Sequence, residues 1–404
     1  MKAINVEEAW ASNVTGAGVT VMIADDGVDA SHPDLAKLSV ADSCDHYLPA
    51  SEFDTHGTQC AALAVGSSND HCGVGVAHGA SLASCKIYGW GDTEDELYAG
   101  FAKGDVISNS WNYPDSCIIP KGGFDAMKAG ITDGRGGKGI VYVFAAGNEY
   151  TGGGNTNFEG YLHSRYTITV GAVGMDVLHA SYSSTGASVF VSAPGGDSGD
   201  VLGMVTAFPV ATGTSCRNAG SGTSFATPIV SGVAALMLEA NPNLGWRDVQ
   251  GIIATTSKLP DDDGDLPRSV NAAGIGHSYQ YGFGIIDAGA AVAAARTWQN
   301  YYTETVLTAM ASPGAAIADD GAAVSSTISA AADADFEVET VVVVLTIDHP
   351  HRGDLRIILE RDGVESLLAP ESDEDGDGYA DWKYTTVRHW GESANGGGGW
   401  TLKV

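Results

Sequence analysis

Short apolar runs alternate with helical stretches through the first part of the chain, and this alternation constrains the fold more than any other feature. Strands that alternate with helices predict a parallel sheet with helices on both faces. Because the carboxyl ends of parallel strands meet at one edge, polar residues that follow the strands are candidates for a site. The predicted strands are 19–24, 81–88, 105–109, 140–144 and 167–172, and the helices between them are 59–66, 94–102 and 124–132.

The pattern changes in the last quarter of the chain. Three further helices, at 224–240, 246–254 and 284–296, complete the α/β part. Past a junction at 298–313 the sequence turns to β-branched runs separated by turns, notably 337–347 and 355–360, which predicts all-β structure. We therefore predict an α/β domain over residues 1–298 and an all-β domain over residues 299–404.

The segment GTSFATPIVSG places Ser224 at the beginning of the long helix 224–240. Small residues before Ser224 allow a tight turn, and Pro228 can be accommodated in a first turn, where its missing N–H is not needed. Free N–H groups and the positive end of the helix dipole stabilise a developing oxyanion at such a position. Alone, a serine there is more commonly an ordinary helix cap.

An aspartate and a histidine occupy similar boundaries. Asp25 follows the strand 19–24, and His56 precedes the helix 59–66. An Asp, a His and a Ser in this chain order form a known arrangement of the catalytic triad. In that arrangement Ser224 attacks a carbonyl, His56 accepts its proton, and Asp25 holds the imidazole tautomer.

A side-chain amide follows the strand 140–144. There the sequence Ala-Ala-Gly-Asn ends in Asn148, which we assign as one oxyanion donor, with the N–H of Ser224 as the other. The alternative is that Asn148 is a turn residue after glycine. The triad motifs favour the catalytic interpretation.

These four motifs resemble the subtilase superfamily, and finer detail is similar to its branch of kexin and furin. A second acidic residue, Asp26, follows Asp25, and residues 69–77 are similar to a calcium-binding turn of that branch. Residues 351–355, 377–382 and 399–402 resemble the P domain, a jelly roll that follows the protease. The resemblance covers nearly the whole chain and implies a secreted serine endopeptidase that cleaves protein or peptide substrates after basic residues.

The resemblance also implies a cofactor and a disulfide. It places Ca²⁺ at Asp34, the side chain of Asn69, and the backbone oxygens of His71 and Gly73. Cys216, eight residues before Ser224, matches the cysteine that pairs with Cys72. The acidic runs 261–265 and 373–378 lack the bidentate Glu of an EF-hand, so we interpret both as solvated turns.

Three carboxylates are assigned to substrate binding by the same resemblance. Asp115 and Glu159 are placed at the primary specificity pocket, and Asp26 faces the preceding substrate residue. Carboxylates in a partly desolvated pocket favour Arg or Lys through charge-assisted hydrogen bonds. The alternative is that Asp115 and Glu159 are solvated loop residues.

The chain also departs from the family pattern. Gly154 and Ser184 stand where the family has acidic partners of a second calcium, and Phe53 replaces an acidic residue. We therefore expect a weaker preference for a basic second residue. Family members begin with a signal peptide and an inhibitory prosegment, whereas the first residues here match the interior of the domain, so we interpret the sequence as an excerpt of a longer precursor.

Composition narrows the partners and the compartment. The net charge of −30 argues against nucleic acid and is compatible with basic substrates. Uninterrupted apolar runs stay below the 18 residues of a membrane helix. Six cysteines suit an oxidising compartment, either extracellular, periplasmic or the lumen of the secretory pathway. Cys60 is a candidate free thiol, the pair Cys44 and Cys85 stays open, and Cys117 is unassigned.

Two other functions remain open at this point. One is a broad-specificity subtilase that carries a P domain. The other is a binding or adhesion module whose protease fold is silent, although such a scaffold has no need of a complete triad and Asn148.

Overall fold

Alternate residues of the first strand belong to two different hydrophobic cores. In β1, Thr20–Asp25, the side chains of Val21 and Ile23 lie in one core, and those of Met22 and Ala24 lie in the other. A strand that is buried on both faces is typical of a parallel sheet covered by helices. The computed structural model describes residues 2–44, 46–49, 51, 53–87, 98–112, 121–199, 203–213, 215–218, 220–261, 266, 268–318, 321, 323–330, 335–373 and 376–404.

Six parallel strands form this sheet in the order β2-β1-β3-β4-β5-β6. The five predicted strands are present within two residues of their predicted bounds, which confirms the parallel α/β architecture. The sixth strand, β6, was not predicted, although its Val-Phe-Val run carried the signal. The strands after β1 are β2 Ser81–Lys86, β3 Val106–Asn109, β4 Val141–Ala145, β5 Thr167–Val173 and β6 Val189–Pro194.

Helices cover both faces of the sheet. The helix Thr223–Ala240, labelled α4, contacts β1 and β3 to β6 on one face of the sheet. Met127 of the helix Lys121–Gly137, labelled α3, lies in the core on the opposite face. The predicted helix 94–102 extends outside the described residues. The described helices are α1 Val6–Ala11, α2 His56–Val65, α3 Lys121–Gly137, α4 Thr223–Ala240, α5 Trp246–Thr256 and α6 Ala288–Ala295.

The bounds of α6 and the burial of α4 differ from what the sequence pattern suggests. The helix α6 begins four residues later than predicted because Gly284 has a φ of +122°, and because Asp287 accepts the N–H of Ala290 at 2.9 Å as a helix cap. By length and composition α4 could cross a membrane, but 83% of its apolar window is buried inside the protein. Its hydropathy is therefore that of a central core helix.

Within the predicted C-terminal domain, the described strands lie between residues 325 and 403 and pair antiparallel. One sheet has the order β11-β16-β13-β14, and the other pairs β12 with β15. This confirms the all-β prediction, whereas the boundary at residues 298 and 299 stays a prediction. The strands are β11 Ser325–Ile328, β12 Val341–Ile347, β13 Ile357–Arg361, β14 Val364–Ala369, β15 Tyr379–Thr386 and β16 Trp400–Lys403. Two short hairpins belong to the N-terminal domain: β7 Val205–Ala207 with β8 Cys216–Asn218, and β9 Arg268–Val270 with β10 Gly276–Ser278.

Two disulfides tie loops to strands in the N-terminal domain. Cys72 is bonded to Cys216 of β8, as the family resemblance implies. Cys44 is bonded to Cys85 of β2, the pairing that the sequence left open. Cys60 is a buried free thiol, and Cys117 lies outside the described residues.

The two domains exchange aromatic side chains. Trp390 of the C-terminal domain is 2% exposed and belongs to the core around α4, with its ring 5.5 Å from that of Phe190 and 6.1 Å from that of Phe283. In return, Phe158 of the N-terminal domain lies in the core of the C-terminal domain. Each core is therefore completed by a residue of the other domain.

We predict that Trp390→Ala lowers the free energy of unfolding by about 3–5 kcal/mol, because the substitution opens a cavity in the core of the other domain. Urea denaturation of the whole chain measures this loss. Trp390→Phe keeps an aromatic ring in the same place and should cost less. Equal stability of the wild type and Trp390→Ala would contradict the structural role of this ring.

Candidate active site

The end of β1 and the beginning of α2 bring Asp25 and His56 together. The Nδ1 atom of His56 lies 2.8 Å and 3.0 Å from the two carboxylate oxygens of Asp25. Asp25 is 1% exposed, while the side chain of His56 is 36% exposed. The hydrogen bond places the proton on Nδ1 in the neutral imidazole, so Nε2 is available to accept a proton.

The charge of Asp25 governs the basicity of this imidazole. Burial opposes protonation of His56, but the adjacent Asp25 carboxylate, with a further contribution from Cys60, outweighs burial, and the pKa of His56 lies well above its ordinary value of 6.5. The charge of Asp25 therefore stabilises the imidazolium that His56 forms when it accepts a proton.

Pro228 changes the hydrogen bonding at the beginning of α4. It is the sixth residue of the helix, in the second turn and not in the first turn as predicted. Since proline has no N–H, the carbonyl of Ser224, four residues earlier, lacks its usual helical donor. The hydroxyl of Ser110 donates to this carbonyl at 2.8 Å, and the thiol of Cys60 donates to it at 3.4 Å.

The Cys60 thiol lies between the predicted base and the predicted nucleophile. Its Sγ atom is 3.9 Å from Nδ1 of His56 as well as 3.4 Å from the carbonyl of Ser224. Burial raises the pKa of Cys60, which keeps the thiol neutral. The sequence analysis did not find this role for Cys60 or for Ser110.

The Ser224 hydroxyl donates to the backbone carbonyl of Ser110 at 3.1 Å. Among the described residues no hydrogen bond joins this hydroxyl to Nε2 of His56. Such looseness is common in structures without substrate, where catalytic hydrogen bonds often tighten only in the complex.

Asn148 is held in a defined orientation beside α4. Its Oδ1 atom accepts hydrogen bonds from the backbone N–H and the hydroxyl of Thr223, both at 2.9 Å. The NH₂ group of the amide therefore points away from Thr223 and is available as a donor. Ser224 N–H is in the first turn of the helix and has no acceptor within it. The side chain of Asn148 is thus tied to the residue directly before Ser224.

Glu149 is a further residue that the sequence analysis missed. Its Oε2 atom accepts the backbone N–H of Asn148 at 2.6 Å and the hydroxyl of Ser184 at 3.3 Å. These contacts fix the peptide group that carries Asn148. An acidic residue directly after the Gly-Asn pair was the available signal.

Two of the three predicted substrate-binding carboxylates lie in the described part of the chain. Asp26 accepts the N–H groups of His56 at 3.0 Å and Gly57 at 2.6 Å, so it caps α2. Burial and the charge of Asp25 raise the pKa of Asp26 to about 6. Asp115 lies outside the described residues.

Glu159 is 7% exposed, which excludes a solvated loop position for this carboxylate. Its Oε1 atom accepts a hydrogen bond from Nδ2 of Asn112 at 2.9 Å. The same Nδ2 lies 3.1 Å from the point that a Cβ on Gly147 would occupy. Glu159 is thereby linked through one side chain to the loop that carries Asn148.

The residues assigned to calcium surround one turn. Asp34 is 1% exposed, and neither of its carboxylate oxygens has a hydrogen-bond donor within the described residues. Ser67 donates to the backbone carbonyl of Asp34 through both its N–H and its hydroxyl, so the turn begins beside Asp34. Asn69 accepts the N–H of His71 at 2.8 Å inside this turn. A buried carboxylate without donors fits a cation with oxygen ligands.

Comparison with known proteins agrees with this geometry. Residues 16–284 match the subtilase family, Peptidase S8, and residues 338–404 match the proprotein convertase P-domain. The chain belongs to the subtilase family. The predicted resemblance to the kexin-like branch is confirmed.

Two curated relatives and one solved structure illustrate the similarity. Kexin of Saccharomyces cerevisiae is 36% identical over 99% of this chain and 52% of its own length. Proprotein convertase subtilisin/kexin type 7 of Homo sapiens is 34% identical over 97% of this chain and 54% of its own length. The chain therefore spans about half the length of these relatives. The serine protease of Aeromonas sobria shares the fold, with a TM-score of 0.85 at 24% identity over 97% of this chain and 82% of that chain.

Asn148→Ala should lower kcat by about 100-fold or more, because it removes one of two donors to the oxyanion of the transition state. Steady-state kinetics on a peptide substrate measures the loss, with KM changed much less than kcat. Asn243→Ala, at an exposed asparagine just after α4, is the matched control. An unchanged kcat in Asn148→Ala would contradict its assignment.

Asp25→Asn should shift the titration of His56 to lower pH. Below its pKa, His56 is protonated and cannot accept the Ser224 proton, so kcat/KM falls as the pH drops through that value. Because Asp25 raises the pKa, loss of its charge lowers it. Imidazole NMR titrations in the Ser224→Ala background, with and without the Asp25→Asn substitution, measure this shift directly, and identical titrations would refute the electrostatic coupling.

Proposed function

We propose that the protein is a secreted serine endopeptidase that hydrolyses protein and peptide substrates after basic residues. The observation that carries this proposal is the hydrogen bond between Asp25 and Nδ1 of His56, beside the first turn of α4, which carries Ser224. Asn148, fixed by Thr223, supplies the oxyanion donor that a silent scaffold does not need.

The first half of the reaction forms an acyl-enzyme. The Ser224 hydroxyl attacks the scissile carbonyl while Nε2 of His56 takes its proton. The negative charge that develops on the carbonyl oxygen is stabilised by the amide of Asn148 and the N–H of Ser224. The imidazolium, stabilised by Asp25, then gives the proton to the leaving amine, and the peptide bond breaks.

The second half releases the other product. Water attacks the ester carbonyl, His56 takes a proton from the water, and the same two donors stabilise the second oxyanion. His56 then returns the proton to the Ser224 oxygen, which restores the free enzyme and frees a carboxylic acid.

Buried negative charge supports cleavage after basic residues. Glu159 is nearly inaccessible to water. In such a poorly hydrated position a carboxylate binds a guanidinium or ammonium group much more strongly than it does in solvent. Asp26 is the proposed partner of the preceding substrate residue. Because its pKa is about 6, its charge falls as the pH drops through that value, and its attraction for a basic residue falls with it. A weaker demand for a basic second residue stays our prediction.

Calcium is the proposed cofactor, as is general for the family. Asp34, the side chain of Asn69, and the backbone oxygens of His71 and Gly73 would hold it. The ion would neutralise the buried Asp34 charge and fix the turn that carries Cys72. Secretion is supported by the two disulfides, which persist in oxidising compartments. A prosegment, typical of the family, is the proposed partner in the precursor.

A fluorophosphonate probe and two peptides test the proposal. We expect the probe to label Ser224 in the wild type but not in Ser224→Ala. A folded wild-type protein without labelling would indicate a silent binding module. Matched peptides with Arg or Leu before the scissile bond measure specificity, and equal kcat/KM values would indicate a broad-specificity subtilase.

Glu159→Gln should lower kcat/KM for the Arg peptide about 10- to 100-fold relative to the Leu peptide, since it removes a charge-assisted hydrogen bond. Glu371→Gln, at an exposed carboxylate of the C-terminal domain, is the control for a change of net charge. Equal losses on both peptides would show that Glu159 does not bind the basic side chain.

A further inference from the structure

Glu159 lies where the chain passes from one domain core to the other. Phe158, just before it, belongs to the core of the C-terminal domain together with Leu368 and Trp382. Tyr161, two residues after Glu159, belongs to the aromatic core of the N-terminal domain, with its ring 5.2 Å from that of Phe144. The position of the Glu159 backbone therefore depends on how the two domains fit together.

Asn157 connects this segment to the C-terminal domain through three hydrogen bonds. Its Nδ2 atom donates to the carbonyl of Leu368 in β14 at 3.0 Å, and its Oδ1 atom accepts the N–H of Thr385 in β15 at 2.9 Å. Its own carbonyl accepts the indole N–H of Trp382 at 3.1 Å. Asn157 is completely buried, so water cannot replace these bonds.

The same strand also fixes the chain after Glu159. The hydroxyl of Thr385 donates to the carbonyl of His163, and the ring of Trp382 lies edge-on to the His163 ring at 5.0 Å. Burial lowers the pKa of His163 to about 4, so this contact carries no charge at neutral pH. Strand β15 thus holds the backbone on both sides of Glu159.

We propose that Asn157 is a positioning residue, through which the C-terminal domain places the Glu159 carboxylate and thereby sets selectivity for basic residues. This inference rests on the proposed role of Glu159 in the specificity pocket. In this role the C-terminal domain acts through Asn157 and needs no contact with the substrate. A small displacement of a binding group is enough to weaken its interaction, because hydrogen bonds to charged groups depend steeply on geometry.

The test compares two buried interface asparagines in the whole chain. Asn157→Ala should lower the ratio of kcat/KM for the Arg and Leu peptides about tenfold, mainly by raising KM for the Arg peptide. Labelling of Ser224 by the fluorophosphonate should persist. Asn271→Ala is the control, since Asn271 also donates twice to the C-terminal domain, at the carbonyls of Arg388 and Trp390. We expect it to lower thermal stability while leaving the selectivity ratio unchanged.

A double-mutant cycle separates positioning from general loosening. If Asn157 acts through Glu159, Asn157→Ala should change the ratio no further in a Glu159→Gln background. Trp382→Phe, which removes the indole N–H that Asn157 accepts and keeps a smaller aromatic ring in its place, should lower the ratio in the same direction and replaces Asn157→Ala if that variant does not fold.

Three outcomes would overturn the inference. A folded Asn157→Ala or Trp382→Phe with the wild-type ratio would do so while leaving the role of Glu159 intact. An equal fall in the ratio for Asn271→Ala would show that any interface damage has the same effect. An unchanged ratio in Glu159→Gln would remove the proposed specificity residue itself, and the positioning role with it.

Discussion

The structure depends on one largely buried helix that crosses beneath five strands of a parallel sheet. Helix α4 packs against β1 and β3 to β6, so its beginning is fixed relative to the ends of β1 and β4. Those ends carry Asp25 and Asn148, and the helix itself carries Ser224. Three groups that are distant in sequence are thereby held at fixed separation by packing, and the hydrogen bonds from Thr223 to Asn148 add a direct link between two of them. Catalytic geometry here is a product of core packing.

The same helix lacks one of its backbone hydrogen bonds, and neighbouring side chains replace it. Pro228 leaves the Ser224 carbonyl without a helical donor, and Ser110 and Cys60 supply donors from two other elements. These two hydrogen bonds link Ser224 to the residue directly after β3 and to α2, the helix that carries His56. With an ordinary residue at position 228, the Ser224 carbonyl would have a backbone donor within the helix itself.

Much of the fold and of the site could be predicted because the relevant signals are local. A buried strand shows its apolar run, and a helix beginning shows its small residues, so Asp25, His56, Asn148 and Ser224 could be assigned from their own neighbours. Missed features depend on tertiary structure. The partnership of Cys60 with the Ser224 carbonyl needs the packing of α2 on α4, and disulfide connectivity is not encoded in spacing, which left Cys44 and Cys85 open. The contacts of Asn157 join residues more than 200 positions apart.

The exchange of Phe158 and Trp390 between the cores has a consequence for biosynthesis. A ribosome delivers the N-terminal domain first, but the rings of Phe190 and Phe283 stay without their third aromatic partner until residue 390 has emerged. The last aromatic layer around α4 therefore closes only when nearly the whole chain described here has been made. A chain interrupted before that point lacks the ring that completes the core around the helix of its own active site.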